Sequence, residues 1–255
     1  MLTVIVTSIL IGLIFAPLGC FVLWKEYVNF GDGLAHASML IGVIATLLGL
    51  PLIYAGLITT FLFALIVFKL KKESGNNAAI GITSSIMISI ALIMSYIFPG
   101  KFNITTLLFG DIVSVTNDSL VHLTLLLLLV GGFVIIFHKQ LFLTVVSRDI
   151  AGSRGIKVQL LDFIFLSILS LAILSTIKIV GALLVTSIVL IPAMIARLMA
   201  ISPIHMIGLS AVFSIIMNCL GMIISFYADM PLAPVIILSG GIIYLLLLVV
   251  KRTGR

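Results

Sequence analysis

The longest uncharged stretch of the chain, residues 33–68, contains no Asp, Glu, Lys or Arg over 36 positions. A helix of ~20 apolar residues, rising ~1.5 Å per residue, crosses the ~30 Å hydrocarbon core of a bilayer. A stretch of this length is too long for one crossing, and Gly49, Leu50 and Pro51 predict a turn near its middle. The stretch therefore predicts two membrane helices, at residues 34–48 and 52–68.

Similar uncharged runs recur along all 255 residues, of which 62% are hydrophobic and only 9% are charged. A soluble domain needs roughly a quarter of its residues charged, so a soluble fold is excluded. The basic residues lie between the runs, which also argues against a nucleic-acid binder. We predict an all-α, polytopic integral membrane protein of about eight or nine transmembrane helices, forming one domain over residues 1–255. The predicted spans are 3–23, 34–48, 52–68, 78–98, 120–137, 160–177, 179–196, 206–226 and 231–250.

The segments between the predicted spans give the expected orientation. Residues 69–77 and 139–157 are predicted loops, and residues 101–118 are predicted to be an amphipathic connector. Alternation of nine spans places twelve of the 14 Lys and Arg residues on one side and only Lys101 and Lys178 on the other. Because Lys and Arg accumulate in cytoplasmic loops, the first side is predicted to be cytoplasmic, with the N-terminus outside. If residues 33–68 formed one broken span instead, the side assigned to Asp32 would change.

The most informative polar residues are Asp32 and His36, which are four positions apart. On a helix they share a face, and ionisable residues inside a membrane span usually have a function. Carboxylate and imidazole are both ligands for Zn²⁺, Mn²⁺ or Fe²⁺. The alternative is a purely local role, in which Asp32 caps a helix and His36 pairs with it.

Two further acidic residues are candidates with weaker local support. Asp229 lies before Pro231 and Pro234, at the predicted outer junction of the last two spans, where it could contact a metal or simply cap the last helix. Asp111 lies in the predicted connector, where a single acid is usually just solvated. No phosphate-binding loop, H-E-x-x-H zinc motif or G-x-S-x-G elbow occurs in the sequence. The chain therefore carries no recognisable energy source of its own.

Several motifs resemble, in order, those of one known family. The sequence GDGLAHAS at residues 31–38 resembles the G-D-x-L-A-H-A-S signature of the permease subunits of bacterial zinc, manganese and iron ATP-binding-cassette importers. FGD at 109–111, VGALL at 180–184 with the PA and AR pairs that follow, and SFYADMP at 225–231 resemble three further elements of the family. Ala233 departs from it, since glycine is usual there. The likeness covers nearly the whole chain and is closest to the zinc-importer permease.

The resemblance implies a homodimer around a central pathway, two cytosolic ATPase subunits and an extracytoplasmic metal-binding protein. It carries Asp32 and His36 over as pathway residues, and Asp229 with less support. No permanently bound cofactor is expected, since the metal is the substrate. The predicted cytoplasmic loop also resembles the short coupling helix that sits in an ATPase cleft, through residues Ser147, Arg148, Asp149, Ala151, Gly152 and Gly155.

The main hypothesis is therefore the membrane-spanning subunit of a Zn²⁺ importer in the bacterial inner membrane, not an enzyme. A proton-coupled secondary metal transporter is the alternative, because an intramembrane Asp and His pair also suits proton exchange. Such a transporter would work without ATPase partners. The residues alone do not choose among zinc, manganese and iron.

Overall fold

A computed structural model describes residues 2–98, 117–181 and 184–253, and these residues form helices and turns. Within these described residues, eight segments are long and apolar enough to cross a membrane, so the predicted all-α membrane fold is confirmed. The helices are α1 (Leu2–Trp24), α2 (Phe30–Ala37), α3 (Leu40–Leu48), α4 (Leu52–Ser74), α5 (Asn76–Ile97), α6 (Asn117–Val146), α7 (Arg148–Ser153), α8 (Val158–Val180), α9 (Val185–Met199), α10 (Pro203–Ala228) and α11 (Leu232–Thr253).

Residues 33–68 form two spans, as predicted, and the alternative of a single broken span is wrong. The first span, Phe30–Leu48, consists of α2 and α3 in series, with a break at Ser38 and Met39. At the break, the N–H of Met39 bonds to the carbonyl of His36, three residues back instead of four. The second span is α4, which begins after Gly49 turns the chain in the left-handed conformation (φ 64°).

Three predicted boundaries are wrong. Helix α4 continues through most of the predicted 69–77 loop to Ser74, and α5 starts immediately after Gly75. Helix α6 is 30 residues long and reaches Val146, so the first half of the predicted 139–157 loop is helical. The predicted break at Lys178 lies inside α8, which ends at Val180 and is followed by Gly181 (φ 93°). In each case a charged residue was taken as the end of a helix, although a charge at the membrane surface does not stop helical hydrogen bonding.

The predicted number of spans, eight or nine, depends on whether α9 is counted as a span. This helix has 15 residues and is ~22 Å long, which is shorter than the ~30 Å hydrocarbon core. It packs against α1, where Gly19 approaches the carbonyl of Val189 so closely that a Cβ would collide with it. The described chain thus has eight full-length candidate spans and one short apolar helix.

Helix α1 lies in the interior of the bundle, against α6, α9 and α10. Its buried side chains include Ile14, Phe15, Leu18 and Phe21. At one end of α1, Phe21 contacts the rings of Trp24, Phe142 and Phe165. This aromatic cluster joins α1 to α6 and α8, at the end of the bundle where the polar contacts described below are found.

Candidate functional site

Helix α2 is buried on most of its surface, with Asp32 and His36 on its one exposed face. The other six residues, Phe30, Gly31, Gly33, Leu34, Ala35 and Ala37, are all buried. The spacing of four residues brings the carboxylate and the imidazole onto the same side, as predicted. Because the rest of the helix is packed, its position fixes that of the pair.

Two glycines that flank Asp32 allow this packing. Gly31 lies against Thr186 of α9, and a Cβ at Gly31 would collide with the Thr186 hydroxyl. A Cβ at Gly33 would lie 2.5 Å from Cγ2 of Ile80 in α5 and 3.0 Å from Cζ of Phe63 in α4. Both distances are shorter than an ordinary van der Waals contact, so larger residues would push α2 away. The glycines thus place Asp32 where α4, α5 and α9 surround the helix.

The side chains of Asp32 and His36 make no hydrogen bond or ion pair within residues 2–98, 117–181 and 184–253. The alternative role, in which Asp32 caps the helix and His36 pairs with it, is not seen in the structure. Asn29, not Asp32, is the N-cap of α2, and its side chain makes no capping bond. Asp32 sits in the first turn, where a carboxylate interacts favourably with the helix dipole. Both side chains are therefore available to a ligand from outside the chain.

Asp229 lies elsewhere in the fold. It ends α10 in the left-handed conformation (φ 50°), which Asp tolerates better than most residues, and it is exposed. The nearby Ser225 hydroxyl donates to the carbonyl of Met230 at 2.6 Å. Among the residues described here, no three His, Cys, Asp or Glu side chains are close enough together to hold a metal. The structure therefore does not add Asp229 to the α2 pair. Asp111 lies outside the described residues.

The predicted coupling segment contains a short helix, α7. Ser147 caps its N-terminus by accepting a hydrogen bond from the N–H of Ile150 at 3.3 Å. Arg148, Asp149 and Gly152 are exposed, whereas Ala151 is fully buried. Gly155 reverses the chain with φ 77°. The helix thus rests on the bundle through Ala151 and leaves Asp149 and Gly152 exposed.

Sequence reasoning did not select Asp162, the residue with the most ionic contacts in the described chain. Its side chain is 2% exposed, near the start of α8. Lys25 Nζ lies 2.7 Å from Oδ1, Lys71 Nζ lies 2.8 Å from Oδ2, and Arg148 Nη2 lies 2.9 Å from Oδ2. Lys25 also donates to the Thr144 hydroxyl at 3.0 Å. We call Asp162 with Lys25, Lys71 and Arg148 the ionic cluster.

The ionic cluster perturbs the groups around it. Burial lowers the pKa of Lys25, and Asp162 opposes this shift by attracting the ammonium group. Burial also raises the pKa of the Tyr27 hydroxyl, and the negative charge of Asp162 acts in the same direction. Tyr27 accepts a hydrogen bond from Lys71 at 3.1 Å. The one sequence signal for the cluster was an acid inside a predicted span, since the partners of Asp162 are distant in the chain.

The ionic cluster also bears on which segments lie on the same side of the membrane. It brings together the ends of α1, α4 and α6, the start of α8 and the short helix α7. These segments were all predicted to lie on the same side of the membrane, and the structure places them at one end of the bundle.

These features define the class of the protein as a multi-pass, helical protein of the membrane. A model of the ABC 3 transport family matches residues 1–251, and the chain belongs to this family. The family predicted from the motifs is thereby confirmed, and with it a role as a transport subunit of the inner membrane, not an enzyme.

Three known proteins illustrate the relationship. The chain is 27% identical, over 95% of its length and 94% of the relative, to the high-affinity zinc uptake system membrane protein ZnuB of Haemophilus influenzae. It is 28% identical, over 94% of its length and 87% of the relative, to the manganese import system permease protein ScaB of Streptococcus gordonii. Among solved structures, PsaBC from Streptococcus pneumoniae in complex with Fab matches with a TM-score of 0.82 and 25% identity, covering 96% of this chain and 89% of that one.

Proposed function

We propose that this chain is the membrane-spanning subunit of an ATP-driven importer of Zn²⁺. The observation that carries the proposal is the exposed and unpartnered pair of Asp32 and His36 on an otherwise buried helix. Zinc uptake and manganese import in the names of relatives support a divalent metal as the substrate. Imidazole together with carboxylate suits Zn²⁺ better than a purely carboxylate site would.

The exposed face of α2 needs a polar environment. A carboxylate that faces hydrocarbon is costly, ~2.5–3.5 kcal/mol at the centre of a span on insertion scales, and Asp32 lies in the first turn of its span. A water-filled pathway between this chain and a second copy removes that cost, and the pair then lines the pathway. We therefore infer a homodimer in which α2 faces the passage.

The pair binds the metal transiently. Two protein ligands and water hold Zn²⁺ less tightly than the four protein ligands of a structural zinc site, so the ion can leave again. An extracytoplasmic binding protein delivers the ion, which exchanges water for Asp32 and His36 and then proceeds inward. Asp229 and Asp111 are proposed as additional contacts on this route, with the support of the sequence motifs alone.

The energy comes from partner ATPase subunits. Helix α7 with its exposed Arg148, Asp149 and Gly152 suits a site that docks in a cleft of an ATPase. Ser147, Ala151 and Gly155 contribute by capping, seating and ending this helix. Replacement of Asp149 by Ala is expected to weaken co-purification of the ATPase, whereas Glu73→Ala, an exposed acid at the end of α4, should leave it unchanged.

The deciding experiment measures metal uptake. The chain is reconstituted in vesicles with its ATPase and binding protein, and ATP-dependent uptake of radioactive zinc is recorded for Asp32→Ala and His36→Ala. Each substitution removes one of two ligands, so uptake should fall by at least about tenfold. Wild-type uptake rates in both variants would remove the pair from the pathway.

Helix α6 offers a matched control, because Asp118 and His122 are also exposed and four residues apart. Asp118→Ala and His122→Ala should transport zinc normally. An equal loss in this pair would show that the effect is not specific to α2. Competition by equal concentrations of Mn²⁺ and Fe²⁺ tests the choice of metal, and zinc should be preferred.

The proton-coupled alternative makes a different prediction. It would transport metal without the ATPase subunits and would stop when a proton ionophore dissipates the pH gradient. Membership of the ABC 3 transport family favours ATP as the energy source. Uptake should therefore require ATP and resist the ionophore.

A further inference from the structure

Asp162 connects the two parts of the molecule that the proposed function uses. On its outer side, Arg148 is the first residue of α7, the proposed ATPase-docking helix, and its side chain is 58% exposed. On its inner side, Lys25 and Lys71 are only 6% and 5% exposed and belong to the α1 end and to α4. One carboxylate therefore bonds both a surface helix and the bundle interior.

From Asp162 the contacts continue to the metal-pair helix. Lys71 bridges Asp162 Oδ2, at 2.8 Å, and the hydroxyl of Tyr27, at 3.1 Å. The ring of Tyr27 meets the ring of Phe30 with centroids 6.4 Å apart. Phe30 is the first residue of α2 and lies two positions before Asp32. A continuous path of contacts thus runs from Arg148 to the start of the helix that bears the metal pair.

The path leads into the membrane. Phe30 packs against Phe63 of α4 with ring centroids 5.2 Å apart. Phe63 precedes Lys71 by eight residues, which corresponds to ~12 Å along a helix. The start of α2 is therefore on the order of 10 Å deeper in the bundle than the ionic cluster, by the same helical rise.

The three ion pairs of Asp162 differ in character. The pairs with Lys25 and Lys71 are buried, and breaking a buried pair leaves an uncompensated charge. The pair with Arg148 joins the same buried carboxylate to a side chain that is 58% exposed. The lysines thus hold Asp162 in the bundle, while Arg148 ties it to α7.

We propose that Asp162 is a positioning residue for transport, which passes the position of α7 through Lys71 and Tyr27 to α2. This inference rests on the proposed function, in which α7 docks the ATPase and α2 carries the metal ligands. Movement of α7 on ATP binding pulls on Asp162 through Arg148 and shifts the start of α2, so that ligand exchange at Asp32 and His36 is tied to hydrolysis. Two sites are coupled through an element on which both of them act, and in this proposal that element is Asp162 with its contacts to α7 and α2.

The test measures zinc uptake and ATP hydrolysis in the same vesicles, containing the chain with its ATPase and binding protein. The main variant is Tyr27→Phe, which removes only the hydroxyl that accepts from Lys71 and leaves every ion pair in place. Tyr54→Phe is its control, since Tyr54 is exposed on α4. The second variant is Asp162→Asn, with the exposed Asp118→Asn as control.

We expect both test variants to retain the ATPase subunits and zinc binding, and to continue hydrolysing ATP. The zinc imported per ATP should fall by about two- to thirtyfold, the range that residues on a coupling path produce. Because the two residues act in one path, the double variant should be no worse than Asp162→Asn alone. The two controls should match the wild type.

Two results overturn the inference. One is an unchanged ratio of zinc to ATP in Tyr27→Phe, which folds regardless of the ion pairs. The other is an equal fall of uptake and hydrolysis together with a lower melting temperature, which indicates a purely structural role. Both presuppose a wild type that imports zinc with ATP. If the wild type binds no ATPase or imports no zinc, the proposed function itself fails.

Discussion

Asp162 and Asp32 are the same residue type in opposite situations. Asp162 is buried and bonded to three cations, whereas Asp32 is exposed and its side chain makes no hydrogen bond or ion pair among the described residues. A buried carboxylate needs partners because desolvation costs several kcal/mol per ion. The carboxylate without partners can accept a ligand that arrives from outside. The fold thus pairs one acid with cations inside the bundle and leaves the other without an ionic partner among the described residues.

The largest difference should appear in stability. Asp162→Ala leaves Lys25 and Lys71 buried without an anion, so it should reduce the free energy of unfolding by about 3–5 kcal/mol. Asp32→Ala removes no side-chain hydrogen bond or ion pair among the described residues and should stay within about 0.5 kcal/mol of the wild type. Thermal unfolding in detergent compares the two. Equal losses would contradict the distinction between a bonded and a free acid.

The next effect concerns the packing that presents Asp32. Gly33→Ala introduces a Cβ against Ile80 and Phe63, and overpacking of this kind costs about 1–3 kcal/mol. Gly81→Ala is the control, because no atom lies near its Cβ position and Ala favours helices. Stability and zinc uptake should fall for Gly33→Ala only. Normal uptake in that variant would mean that the position of α2 is not critical.

The smallest effect belongs to α7. Ser147→Ala removes the N-cap of a six-residue helix and should cost about 1 kcal/mol of local helix stability. Faster amide hydrogen exchange at residues 148–153 would report this loss, with little change in the overall melting temperature. Ser153→Ala serves as the control at the other end of α7. Unchanged exchange after Ser147→Ala would indicate that contacts such as Ala151 hold the helix alone.

Much of the fold could be predicted because a membrane imposes simple requirements. Uncharged runs gave the spans, and the turn at Gly49 separated α3 from α4 as expected. The predicted boundaries near charged residues were wrong. Lys71, for example, was assigned to a loop, but it lies within α4 and bonds Asp162. Hydropathy does not distinguish a lysine in solvent from one that bonds a buried acid.

The candidate site was predicted in part. The spacing of Asp32 and His36 placed both on one face of α2, and the structure leaves that face exposed. Asp229 was predicted from its motif, and the fold does not bring it to the pair. Their roles as metal ligands, like that of Asp111, stay predictions.

The sequence by itself determined that this chain is a helical membrane protein, because hydrocarbon admits long apolar helices and excludes charge. It also determined the shared face of Asp32 and His36, which depends only on helical periodicity. Only the tertiary structure decided which acid is bonded and which is free. Lys25 and Lys71 are separated from Asp162 by 137 and 91 residues, and such distant partners meet through the packing of helices, which no local pattern encodes.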